Sequence, residues 1–242
     1  MVRARKRYAS VVVVVLAILA ALLLWQQRHR FLSKPRQPVA RRPSPKPKRV
    51  AAKPPLPLGP QRLANPPAIV KGVYFTGWSA GLSRRIDYLV DLRKTTSLNA
   101  VVIDIKDYSG SIAYRAAFPE AQRYRAVHVK VRDLDTLIAR LHRENIYVIA
   151  RITVFQDPVL AAARPELAVH RISTSGVWLD RKGLAWIDPA SRDAWDYNVA
   201  VAADAASHAF DELNFDYVRF PSDGDLADME YPCWTGRRPS TW

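Results

Sequence analysis

The first seventy residues contain no aspartate or glutamate, against fifteen lysines and arginines. Residues 71–242 hold 22 basic and 22 acidic side chains, so the formal charge of +15 belongs entirely to the N-terminal segment. A nucleic-acid-binding domain carries its basic footprint on the folded part, so that class loses support and no nucleic-acid partner is expected. Cysteine is nearly missing as well. Cys233 alone excludes an internal disulfide framework and a paired-cysteine metal site. The histidines (His29, His128, His142, His170, His208) fall at no metal-ligand spacing, and the chain lacks a glycine-rich phosphate loop and a dinucleotide fingerprint. No metal and no cofactor are therefore expected.

What is present at the N-terminus is a run without a polar side chain, Val11–Trp25, preceded by Arg3, Arg5, Lys6 and Arg7. Its length suits either a short spanning helix or a signal-peptide core. No small-x-small cleavage site follows, and no cysteine for lipidation, so residues 1–32 read as an uncleaved signal anchor. The basic cluster at the extreme N-terminus orients it with the C-terminal domain outside, periplasmic or extracellular. Residues 33–69 carry eleven of the eighteen prolines, interleaved with lysine and arginine. Proline blocks helix and ladder, and like charges repel, so this segment reads as an extended spacer reaching on the order of 100 Å. Its basic character also suits contact with anionic envelope polymer or head groups.

Residues 70–242 are regular. Val70–Thr76, Ala100–Ile105, Tyr147–Phe155 and Glu212–Phe220 read as strands. Between them, helical spacing runs through Leu82, Ile86, Leu89 and Val90, and through Leu134, Leu137, Ile138 and Leu141 behind an Asp133 cap. A longer helix opens at Asp188-Pro189 and continues through Trp195, Val199, Ala202, Ala206 and Phe210. Strand–helix alternation of this kind gives a parallel α/β sheet. Two long connections, Tyr108–Arg132 and Gln156–Asp188, follow strand C-terminal ends, which form the substrate face in a barrel of this type. They bring Tyr108, Tyr114, Phe118, Tyr124, Trp178 and Trp186, aromatics that either stack on sugar rings or pack the loops.

Charged groups recur at the strand ends: Asp104, Lys106 and Asp107, then Arg151, then Asp216 and Arg219, with Asp223 on the turn beyond. Alternation puts Asp104 with Lys106, Arg151 with Thr153, and Tyr217 with Arg219. Carboxylates among arginines stay ionised, which suits a nucleophile or a stabiliser of an oxocarbenium-like transition state, or else a buried ion network. Asp216, Asp223 and Arg219 are the candidate catalytic residues. Asp104, Asp107, Arg151, Trp78, Trp178 and Trp186 are the candidate substrate-binding residues. A competing motif, Gly77-Trp78-Ser79-Ala80-Gly81, is a literal nucleophile-elbow sequence, with Asp180 and His208 as conceivable partners. His208 falls inside the long helix, a poor place for a mobile base.

The stretches GVYFTGWSAG, AVVIDIKDYSG, YVIARITVF, WLDRKGLAWIDP and FDYVRFPSDG together resemble a glycoside hydrolase family catalogued as a domain of unknown function. Its catalytic domain is a TIM barrel related to alpha-amylase-like enzymes. The resemblance runs from about Lys71 to Pro232. It implies a (β/α)8 barrel, a polysaccharide or oligosaccharide substrate, and a site lined by Asp104, Asp107, Arg151, Asp216, Arg219 and Asp223. A barrel of this type has eight strands in about 250 residues. The expectation is therefore that only its N-terminal half is present, truncated after the fourth strand, with exposed edges and weak autonomous folding. A non-catalytic carbohydrate- or cell-wall-binding protein is the alternative.

Overall fold

The computed structural model describes residues 61–234 and residue 236. The expected signal anchor and the linker up to residue 60 lie outside the described residues. Among the described residues no helix is long and apolar enough to cross a membrane.

In chain order the elements are β1 (Gly72–Phe75), α1 (Gly77–Ala80), α2 (Ser83–Thr95), β2 (Ala100–Lys106), α3 (Pro119–Arg123), α4 (Leu134–Arg143) and β3 (Tyr147–Thr153). There follow α5 (Pro158–Ala163), β4 (His170–Arg171), α6 (Arg192–Ala206), β5 (Glu212–Asp216) and β6 (Met229–Glu230). Four strands form one parallel sheet in the order β1-β2-β3-β5, and β4 pairs antiparallel with β6 in a small separate ribbon. The fold is thus mixed α/β on a parallel sheet, as the alternating pattern requires.

The near-continuous apolar runs of β2 and β3 follow from this burial. Val101, Ile103, Ile105, Val148, Ala150 and Ile152 are all essentially buried and belong to one core with the helices. Each of these valines and isoleucines contributes about 1.5–3 kcal/mol on leaving water. Helix α4 forms where its stripe and cap predict: Asp133 Oδ1 accepts the Thr136 N–H at 2.9 Å, and Leu134, Leu137, Ile138 and Leu141 are buried.

Three sequence expectations are corrected. The fourth strand stops at Asp216, because Tyr217 takes a left-handed backbone (φ 55°) that a β-ladder does not accommodate. Arg219 therefore lies on the following loop and not in the strand. The long helix is capped by Ser191, whose Oγ accepts the Ala194 N–H, while Asp188 turns back to accept the N–H groups of Ala190 and Cys233. The Asp-Pro helix opening occurs instead at Asp157-Pro158, where Asp157 Oδ1 accepts the Leu160 N–H at 2.8 Å. Helix α6 buries Ala202 as expected, but together with Ala194, Tyr197, Asn198, Val201 and Ala205. Trp195 and Val199 are exposed, with the Trp195 ring covered by Arg192 at 4.0 Å.

Candidate active site at the strand C-terminal ends

One side chain from each of the four parallel strands meets at the C-terminal end of the sheet. Asp104 on β2 and Arg151 on β3 are direct register partners, and Arg151 Nη1 donates to Asp104 Oδ1 at 2.5 Å. The same guanidinium donates from Nε at 2.8 Å to Asp216 Oδ2, the last residue of β5, with Nη2 at 2.7 Å from that oxygen. Tyr74 on β1 completes the row by donating its hydroxyl hydrogen to Asp104 Oδ2. Asp104 is 2% exposed with both oxygens taken, whereas the Asp216 side chain is 46% exposed. Asp216 is thus ionised, anchored from behind and open in front.

The electrostatics agree. Burial raises the Asp216 pKa, but the Arg151 hydrogen bond, the Tyr217 N–H at 2.7 Å and the charges of Arg151 and Arg219 outweigh it, so the carboxyl is held below its usual range. Burial and then the bond to Asp104 push the Tyr74 phenol well above its ordinary range, so it remains a donor. The Arg151 guanidinium lies 5.6 Å from the Tyr74 ring centroid and 5.7 Å from that of Tyr217, a further restraint on its position.

Asp107, two residues beyond Asp104's neighbour Ile105, is committed elsewhere. It accepts from Ser109 and from Lys130 Nζ at 2.5 Å, and these bonds outweigh burial to lower its pKa. Lys130 in turn lies 5.6 Å from the ring of Trp78, which is 67% exposed and presents a face at the same end. Asp223 is exposed on the loop after β5 and accepts the Arg181 N–H at 3.4 Å.

Lys106 does not share a face with Asp104. The ladder slips between the two residues, and this bulge turns Lys106 to the helix side. There it is fully buried, 2.7 Å from Asp157 Oδ2 and donating to Thr153 O at 2.6 Å and Asn198 Oδ1 at 3.3 Å. The Lys106–Asp157 contact is off the line of a hydrogen bond and acts as an ion pair. Trp178 and Trp186 are buried too, so the stacking expected of them gives way to loop packing. Trp178 Nε1 donates to Asp225 O beneath Gly224, and Trp186 Nε1 donates to Asp180 Oδ2 at 3.0 Å. Of the loop aromatics, Tyr108 is exposed while Tyr114 is buried on Asp204.

The elbow-like motif is explained by packing. Ser79 sits in a one-turn helix with Thr76 as its cap. A Cβ on Gly81 would lie 2.0 Å from Lys130 O, and one on Gly77 would lie 2.8 Å from Ala113 Cβ. His208 pairs with Asp135 at 2.7 Å, and Asp180 is taken by Gln156, Trp186 and two backbone N–H groups, so neither serves Ser79. A cavity of about 420 Å³ lies at the other end of the sheet, lined by Arg62, Leu63, His142 and Asn145. Its nearby carboxylate, Asp211, is saturated by His142, Val148 N and Leu63 N.

Tyr74 and Tyr217 were not among the candidates from sequence. Alternation along Gly72–Phe75 carries the signal for Tyr74, since it shares a face with the strand-end charges; Tyr217 leaves the extended backbone that its apolar run predicts.

Residues 72–239 match the family described as "Putative glycosyl hydrolase domain". A crystal structure of a hypothetical protein from Ruminiclostridium thermocellum ATCC 27405 is 37% identical, with a TM-score of 0.63 over 68% of this chain and 84% of that one. The chain belongs to this family. Fainter likenesses within the fold comparison include the Flavobacterium johnsoniae chitobiase, 12% identical with a TM-score of 0.45 over 62% of this chain. Another is alpha-L-fucosidase isoenzyme 2 from Paenibacillus thiaminolyticus, 13% identical with a TM-score of 0.45 over 65% of this chain. The chain spans 24% of either enzyme. No curated protein matches the chain. Membership in the glycosyl hydrolase domain family makes a glycoside hydrolase-like function the frame for the Asp104–Arg151–Asp216 row.

Proposed function

We propose that this is a membrane-anchored glycoside hydrolase acting on an envelope or extracellular polysaccharide, with its domain of (β/α)8 type and alpha-amylase-like descent. The sequential parallel order of the four sheet strands supports the barrel reading. The apolar run Val11–Trp25 behind a basic N-terminus supports the anchor, with the domain outside. The observation that carries the reading is Asp216, ionised by Arg151 and open to solvent at the strand end. In that position a carboxylate stabilises positive charge developing at a sugar C1, or attacks it, while water supplies the elements added across the glycosidic C–O bond. Asp223, exposed on the loop after β5, is the alternative carboxylate for that same role of nucleophile or charge stabiliser. Arg151 positions Asp216, Tyr74 positions Asp104, and Trp78 offers a sugar platform.

One observation favours a second reading, a non-catalytic carbohydrate-binding domain. Asp104, the carboxylate that shares Arg151 with Asp216, is buried with both oxygens occupied and so offers no free oxygen to a substrate. Incubating the full chain with a panel of purified envelope polysaccharides separates the two readings. New reducing ends that disappear in Asp216→Asn or in Asp223→Asn establish hydrolysis by that carboxylate. Retention on the polymer with no product supports binding alone, and turnover undiminished in both variants removes these carboxylates from catalysis.

A further inference from the structure

Arg151 has two carboxylate partners, whereas Arg219, on the same rim, has none within ion-pair distance among the described residues. Among the described residues its hydrogen bonds run from Nη1, to Phe220 O at 3.1 Å and to Ser222 Oγ at 2.9 Å. The guanidinium is nevertheless held in place. Its carbon lies 4.9 Å from the Trp186 ring centroid and 5.0 Å from that of Tyr217, and those two rings lie 5.8 Å apart. Trp186 is itself fixed, 2% exposed and hydrogen-bonded to Asp180. An exposed arginine ordinarily loses side-chain entropy on being ordered, and a counter-ion compensates. Here aromatic faces supply the order, and Nε and Nη2 keep their donors for an outside group.

We infer that Arg219 is a specificity residue that receives the carboxylate of an acidic sugar, so that the glycan bound at this site carries uronic-type residues. The inference rests on the carbohydrate reading above and narrows it. Two parallel N–H donors match the two oxygens of a planar carboxylate. A phosphate monoester would bring a second negative charge towards Asp216, which already feels the field of Arg219. A singly charged carboxylate satisfies the fork with less repulsion. This also reassigns Arg219: Arg151 holds Asp216, and Arg219 is left for the substrate.

The test is calorimetric titration of the full chain with trisaccharides of galacturonate, glucuronate and mannuronate, each beside its methyl ester and beside a phosphorylated neutral trisaccharide. The basic linker attracts the acids and not their neutral esters but is unchanged between variants, so the readout is the change in acid-to-ester affinity ratio from wild type to Arg219 variant. A fall of about tenfold in Arg219→Gln is expected for at least one of the three sugars, the value of one charge-assisted hydrogen bond. In Arg219→Lys the fall is smaller, because a cation remains without the fork. Asp216→Asn retains the ratio or raises it. A ratio near one for all three sugars in the wild type, a ratio unchanged in Arg219→Gln, or tighter binding of the phosphorylated sugar overturns the inference. A preserved ratio without hydrolysis of any polymer overturns the proposed enzyme activity and leaves the specificity assignment standing.

Discussion

Asp104 and Lys106 stand two residues apart at the end of β2, each in an ion pair, yet one pair faces the mouth and the other is sealed among helices. The Arg151 side chain is 15% exposed and Asp216 46%, whereas Lys106 and Asp157 are both at 0%. In the mouth row both oxygens of Asp216 accept restraining bonds, yet the carboxylate stays wet. The buried pair fixes the end of β2 against α5 and α6 and is closed to solvent on both sides. Charge at a strand end is therefore ambiguous in itself, and the face decides between support and chemistry.

The sharpest way to break the comparison is Lys106→Met. It leaves the Asp157 carboxylate buried without its cation, and removing one partner of such a pair costs about 3–5 kcal/mol. Urea unfolding of the full chain should show that loss. A loss below about 1 kcal/mol would mean that water reaches Asp157 and that the two pairs are alike. Asp216→Asn should behave in the opposite sense. Hydrolysis of whichever glycan the panel identifies should fall by about a hundredfold or more, equivalent to about 2.7 kcal/mol in the barrier. Stability should move by less than about 1 kcal/mol, because the pair is half exposed. Tyr74→Phe is a smaller change. It frees one lone pair of buried Asp104 and should destabilise by about 1 kcal/mol, with a lesser loss of turnover than Asp216→Asn, since Tyr74 acts through Asp104.

The sequence made the frame of this molecule readable and left its faces hidden. Runs such as AVVIDI and YVIARI identified parallel strands because both sides of them are buried, and the Asp133 cap with its leucine stripe located α4 closely. The site cluster of Asp104, Arg151 and Asp216 was legible as charge at strand ends. The slip at Ile105 was not, since a bulge depends on how two ladders fit and carries no local signature here; strict alternation then put Lys106 on the wrong side. Trp195 and Val199 drew the expected stripe of α6 partly off its buried face, which Ala202 does share, because large apolar side chains outweigh Ala194, Val201 and Ala205 in any periodicity count. Trp178 and Trp186 looked like sugar platforms because nothing in the sequence says that Gly224 closes over one and Arg219 over the other.

The smallest effect concerns pH, and it separates charge from shape in the mouth row. The folded pKa of Asp216 is depressed by Arg151, the Tyr217 N–H and Arg219, while the unfolded carboxyl titrates near about 3.9. A group with a depressed folded pKa stabilises the fold above its unfolded value and loses that contribution as pH falls through the folded one. Wild type should therefore be more stable than Asp216→Asn at pH 7 by a fraction of about 1 kcal/mol, and the gap should close below about pH 4. Molar salt should narrow the gap at pH 7 as well, because the pair is open to solvent. Thermal melts of both proteins between pH 7 and pH 3, at low and high salt, read this directly. A gap that persists at pH 3 would trace the effect of Asp216 to the hydrogen bond from Tyr217 N and to packing, and the mouth row would then resemble the buried pair more than its exposure suggests.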